Sequence, residues 1–226
     1  MNRDEGRMMD EAGPHPTVEE LASAIHQAAR PLVVVVTGGG SGAIAALLQV
    51  PGASRTVLEA AVPYAPQALA SWLKAAPEQA CASRTARAMA MVAYQRARGY
   101  VLGSKAVGNT NEPRPTLGRP KPEGDTPCSQ VTGNESRNNT APAGLSCTAS
   151  LATDRPKHGD HRLFVALQTG DRTLEWSAVV TKGMRSRSQE EELCSGVLLN
   201  AAAEAAGLRQ RLALGWLAGE HLELRR

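Results

Sequence analysis

Thr37-Gly38-Gly39-Gly40-Ser41-Gly42 is the stretch of this chain best suited to chemistry. It follows Leu32-Val33-Val34-Val35-Val36, a β-branched run with no polar alternation, and it leads into the apolar run Ala43 to Leu48. A strand buried on both faces of a sheet reads this way. Strand, glycine turn and helix in succession aim main-chain amides at an anion such as phosphate. Thr37 and Ser41 add hydroxyls beside those amides. A second cluster is His158-Gly159-Asp160-His161, flanked by Lys157 and Arg162. Two imidazoles and a carboxylate so close together could hold a metal or move protons. No further group of strong ligands accompanies them, so no metal is assigned, and the run reads as a polar loop before a strand. Arg185 and Arg187 are followed by Glu190-Glu191-Glu192. Acids at a helix start complement the macrodipole, and the Glu run reads as ordinary helix-start decoration.

The elements that must position these groups follow from patterning. Thr17-Val18-Glu19-Glu20 is a capping box, and apolar residues at helical spacing carry that helix over 17–29. Val57 to Val62 reads as a strand, 66–74 as a helix, and Ser83 to Arg98 as a longer helix. Strand character returns at Leu145 to Thr148. Leu163–Gln168 and Leu174–Thr181, joined through Thr169-Gly170-Asp171, read as an antiparallel hairpin. A long helix over 187–206 and a short one over 208–217 close the chain. Residues 1–16 read as a disordered tail. In 104–142, Asn, Pro, Gly, Ser and Thr dominate, and such a stretch buries too little to offset its ordering entropy. It is read as a disordered insertion inside a single domain spanning 17–222.

Composition narrows the classes. Aromatics are only 3% against 42% hydrophobic, so a core of Ala, Val and Leu is expected, with little surface on which bases could stack. The net charge of +3 is too mild, and too scattered, for nucleic-acid binding. The four cysteines, Cys81, Cys128, Cys147 and Cys194, form no CxxC pair and read as reduced thiols of a cytoplasmic protein. No apolar run is long enough to span a membrane. The triplets at Asn134 and Asn138 match glycosylation acceptors and read as chance matches in a polar loop.

The glycine turn also resembles the TGxxxGxG turn of short-chain dehydrogenases. Ile44 stands where the last glycine would be, and no Tyr-x-x-x-Lys exists, because Ser104 occupies the required offset from Tyr100. A dinucleotide binder of that type remains a further reading, beside a tight turn with no ligand at all.

More of the chain resembles another family. Ala43-Ile44-Ala45-Ala46-Leu47-Leu48 with Val50-Pro51-Gly52-Ala53-Ser54, Pro63-Tyr64, Gly144-Leu145-Ser146-Cys147-Thr148-Ala149, Lys157 with its following strand, and Gly183-Met184-Arg185 occur in the order and spacing of segments of the CinA carboxy-terminal family. The runs 155–162 and 185–192 resemble a eukaryotic branch, in which such a domain precedes a nucleotidylyltransferase-like one; that second domain is not expected in this chain. The resemblance implies a three-layer α/β/α sandwich with a mixed sheet. It implies hydrolysis of the amide of nicotinamide mononucleotide, by a Ser nucleophile with a nearby Lys, without a cofactor. Aligned on Ile44–Leu48, the Ser position falls on Gly38 and the Lys position on Leu69. Tyr64, Thr148 and Arg185 carry over, and Thr37 or Ser41 are the hydroxyls that could replace the lost Ser. Gly38, Gly39, Gly40, Lys157, His158, Arg162 and Arg185 are the implied ligand contacts. The expectation is a nucleotide-binding domain with its catalytic pair replaced. The alternative is a deamidase with a rebuilt site. A small-molecule nucleotide and a second copy of the chain, in a homodimer, are the implied partners.

Overall fold

A computed structural model describes residues 15–107, 141–154 and 158–226. Its central sheet has six strands: β1 (Leu32–Thr37), β2 (Val57–Ala61), β3 (Ala143–Ser150), β4 (His161–Gln168), β5 (Thr173–Val180) and β6 (Glu223–Arg225). The order across the sheet is β2-β1-β3-β4-β5-β6. β1 runs parallel to both β2 and β3, whereas β3 to β6 are antiparallel, so the sheet is mixed as expected.

Among the described residues five α-helices cover its two faces: α1 (Val18–Ala28), α2 (Ser41–Gln49), α3 (Pro66–Leu73), α4 (Ser83–Val107) and α5 (Arg187–Ala205). Every residue of β1 is buried, and its side chains alternate between two cores. Val34 and Val36 pack with α1, α2 and α5, while Val33 and Val35 pack with Leu69, Met89 and Ala93 of α3 and α4. Each such valine contributes about 1.5–3 kcal/mol of burial, which is why the unbroken β-branched run commits to the sheet centre. The small-residue composition serves close packing. A Cβ on Gly144 of β3 would lie 2.2 Å from the Tyr94 amide nitrogen, so α4 rides directly on that strand.

The capping box forms: the Thr17 amide donates to Glu20 Oε2 at 2.8 Å, and the Glu20 amide donates to Thr17 Oγ1 at 3.2 Å. Buried His26 of α1 then bonds through Nε2 to the Leu47 carbonyl at 2.8 Å, locking α1 to the end of α2.

Two sequence expectations need correction. α4 continues to Val107, beyond the expected end at Arg98. Residues 208–217 form no helix. Leu212, Leu214 and Trp216 all pack on the core, a period of two that suits an extended strap crossing α5. Asn200 pins the strap: its Nδ2 donates to the Leu212 carbonyl at 3.2 Å, and its Oδ1 accepts from the Leu212 amide at 2.7 Å. The strap ends in β6, an unexpected edge strand beside β5. The insertion, both glycosylation triplets and Cys128 lie mostly or wholly outside the described residues, as do residues 1–14. Among the described residues no helix is long and apolar enough to cross a membrane.

Candidate functional site

β1 delivers Thr37 to the edge of the core, and the chain turns there. Gly38 (φ +77°) and Gly40 (φ +94°) both adopt the left-handed region, where a Cβ is unfavourable. The turn ends at Ser41, the first residue of α2, with the helix amides exposed at its mouth. They hold an anion, and that anion is the chain's own Glu191. Its Oε1 accepts from the Ser41 amide at 2.6 Å, from Ser41 Oγ at 2.8 Å and from the Gly42 amide at 3.3 Å; its Oε2 accepts from the Gly40 amide at 3.0 Å.

Glu191 belongs to the first turns of α5, and its neighbours complete a latch. Arg187 donates through Nη2 to the Gly38 carbonyl at 2.8 Å and through Nη1 to the Ala152 carbonyl at 3.2 Å. Glu190 is fully buried. One of its oxygens lies 2.7 Å from His161 Nδ1, and the other accepts from the Ala152 amide at 2.6 Å. The reading of the Glu run as surface decoration is therefore corrected for Glu190 and Glu191. A carboxylate enters a core only with hydrogen-bonding partners, and those partners come from residues far away in the chain. His161 likewise opens β4 and is 8% exposed, not a polar-loop residue.

Arg185 meets a different carboxylate. Its Nη1 and Nη2 each lie 2.7 Å from an oxygen of Glu220 on the strap, and Nη2 also donates to the Gly215 carbonyl. Glu220 accepts further bonds from the Thr181 and Leu217 amides. The Arg185 fork holds the Glu220 carboxyl far below the ordinary range, at about 2, and Glu220 in turn raises the Arg185 guanidinium. Arg185, Gly42 and Glu191 line one cavity of about 960 Å³, together with Leu199, Leu212 and Leu214. The structure thus brings Arg185 to a cavity that meets the glycine turn at Gly42, with the guanidinium and the turn amides already engaged.

The remaining expected residues are dispersed. Thr37 and Thr148 are register partners, yet Thr37 Oγ1 donates to the Pro63 carbonyl at 3.1 Å and Thr148 Oγ1 to the Ala80 carbonyl at 2.6 Å. Both hydroxyls are buried and committed to backbone, away from Glu191. Tyr64 is 65% exposed. Arg162 reaches Asp160 at 3.3 Å and lines a smaller cavity of about 220 Å³ with His221 and Arg225. His158 is exposed, and its carbonyl accepts from Lys182 Nζ at 3.2 Å. Lys157 lies outside the described residues. Gly39 stands over Leu151 and Ala149, close to the Glu191 carboxylate. Leu69, on the inner face of α3, is 2% exposed and packs in the core.

Beneath the turn, Cys194 is buried, and its thiol is pushed well up by a hydrogen bond with Cys147 and by burial. Such a thiol stays protonated and packs. Among the described residues no three His, Cys, Asp or Glu side chains are grouped to hold a metal.

Solved structures share this architecture. A competence-damaged protein (CinA) superfamily protein from Escherichia coli superposes with a TM-score of 0.53 at 14% identity, covering 84% of this chain and 90% of that one. One from Enterobacter cloacae gives a TM-score of 0.51 at 14% identity, covering 89% and 96%. The chain shares the fold of these two proteins. No protein-family model and no curated protein sequence matches it. On this CinA-like fold, the residues that sequence reasoning missed are Glu191, Arg187, Glu190, His161 and Glu220. Four of them belong to runs quoted for their charge. The missing signal was pairing, which lies between elements and not along them.

Proposed function

We propose that this chain is a non-catalytic relative of the nicotinamide-nucleotide amidohydrolases, a CinA-like domain that holds a nucleotide phosphate at the glycine turn without cleaving the amide. The observation that carries this reading is the condition of the two positions onto which the resemblance places the nucleophile and its Lys. A Cβ at Gly38 would lie 2.0 Å from the Ala149 carbonyl oxygen, and the position has a positive φ. Leu69 is buried among Val33, Val35 and Met89. Neither place has room for a Ser or a Lys side chain, which supports a domain that works without that catalytic pair. Amide hydrolysis without an activated nucleophile loses up to about 10⁶ in turnover.

A second reading rests on Ser41, whose Oγ donates to Glu191 at 2.8 Å. A hydroxyl bonded to a carboxylate is an arrangement for nucleophilic attack. Against it stands the engagement of the same carboxylate by the amides of Gly40, Ser41 and Gly42, so these three amides are not free to hold an oxyanion.

Ammonia release from nicotinamide mononucleotide by the purified chain separates the two. The expected result is none above buffer, together with calorimetric heat of nucleotide binding once the turn is accessible. Turnover that disappears in Ser41→Ala would overturn the first reading and establish the second.

A further inference from the structure

We propose that Glu191 is a built-in plug: its carboxylate stands in for a ligand's phosphate at the glycine turn, and the site takes a phosphomonoester only by exchange with it. This regulation rests on the phosphate-binding reading above. Four donors converge on one carboxylate that comes from the far end of the chain: the amides of Gly40, Ser41 and Gly42 and the Ser41 hydroxyl. This is the donor set that an anionic ligand at a helix amino terminus uses. A carboxylate and a phosphate make the same demand on it, so the two compete for one place.

Exchange requires somewhere for the displaced side chain to go and somewhere for the ligand's body to lie. Glu191 lines the cavity of about 960 Å³ that opens beside the turn, a size that suits a nucleotide-sized ligand. Rotation of the Glu191 side chain toward that space frees the amides without moving α5. Within the cavity wall, Ser195 is 8% exposed, and its Oγ has no hydrogen-bond partner among the described residues. It packs against Gly42, 2.7 Å from where a Cβ on that glycine would stand. A buried hydroxyl without a partner is costly to maintain, and this one lies beside the donors that would face a phosphate. The leucines of the strap, Leu212 and Leu214, add apolar surface to the lining against which a planar base could lie.

Arg187 keeps the plug in register. It ties the Gly38 carbonyl to Ala152 from one turn before Glu191, so the glycine turn and α5 hold together while the carboxylate alone exchanges.

The test follows the Gly40, Ser41 and Gly42 amide resonances during titration with inorganic phosphate and, separately, nicotinamide mononucleotide. It uses the full chain and the variants Glu191→Ala and Glu191→Gln. A tethered competitor acts at an effective concentration in the millimolar range, so Glu191→Ala should bind at least about tenfold more tightly than the native chain. Glu191→Gln keeps the side-chain shape, loses the charge and should bind between the two; it also serves if the alanine variant does not fold. Equal binding by the native chain and both variants would overturn the plug and leave the phosphate reading standing. If a folded variant binds neither probe, while its three amides exchange rapidly with solvent, the phosphate reading itself fails and the plug with it.

Discussion

The Arg185–Glu220 clasp carries a pH-dependent share of stability that Glu220→Gln should remove. The Glu220 carboxyl is held at about 2 against an ordinary 4.5, first through its hydrogen bonds to Arg185 and then through the Leu217 and Thr181 amides. That difference corresponds to at most about 3 kcal/mol of preference for the folded state. The Arg185 and Glu220 side chains are 8% and 2% exposed, so solvent screening removes only part of it. About 2–3 kcal/mol should remain near neutrality. The sign follows from a depressed carboxyl: the contribution is complete above the unfolded value of 4.5 and is lost as pH falls toward 2. Denaturant unfolding of the native chain and Glu220→Gln, followed by tryptophan fluorescence, should show a gap of that size at pH 7. More than half of it should be gone by about pH 3. Trp216 lies in the strap that the clasp secures and reports its release. A gap that is unchanged at pH 3, or smaller than about 0.5 kcal/mol at pH 7, would refute the reasoning, because a solvated pair contributes no more than that.

Two other perturbations test the architecture around the site. Gly38→Ser places a Cβ 2.0 Å from the Ala149 carbonyl oxygen at a φ of +77°. It should cost more than about 3 kcal/mol by thermal denaturation and restore no amidase activity; a stable or active variant would show that the turn can accept a nucleophile. Asn200→Ala removes both hydrogen bonds to Leu212. It should cost about 1–3 kcal/mol, read as faster hydrogen exchange at the Leu212 amide; unchanged protection would mean that packing alone holds the strap.

Local elements were legible because their signals are local. The capping box at Thr17 and Glu20, the valine run of β1, the hairpin of β4 and β5 and the span of α5 each follow from spacing within one segment. The glycine turn was legible for the same reason, since a strand that stops at consecutive glycines before an apolar helix must expose amides. The strap was not. Leu208 to Leu217 contains good helix formers, but Leu212, Leu214 and Trp216 alternate to meet a surface that exists only once α5 is in place.

Residue types and short-range order thus settled that a strand, a glycine turn and a helix would create an anion cradle. Tertiary structure decided what fills it. Glu191 stands 150 positions from Ser41, and Glu220 stands 35 from Arg185, so neither pairing has a periodicity along the chain to reveal it. A charge run reads as solvated until the fold determines which of its members faces a donor. Here packing turned Glu190 toward His161 and Glu191 toward the turn, because a buried carboxylate is stable only where donors converge.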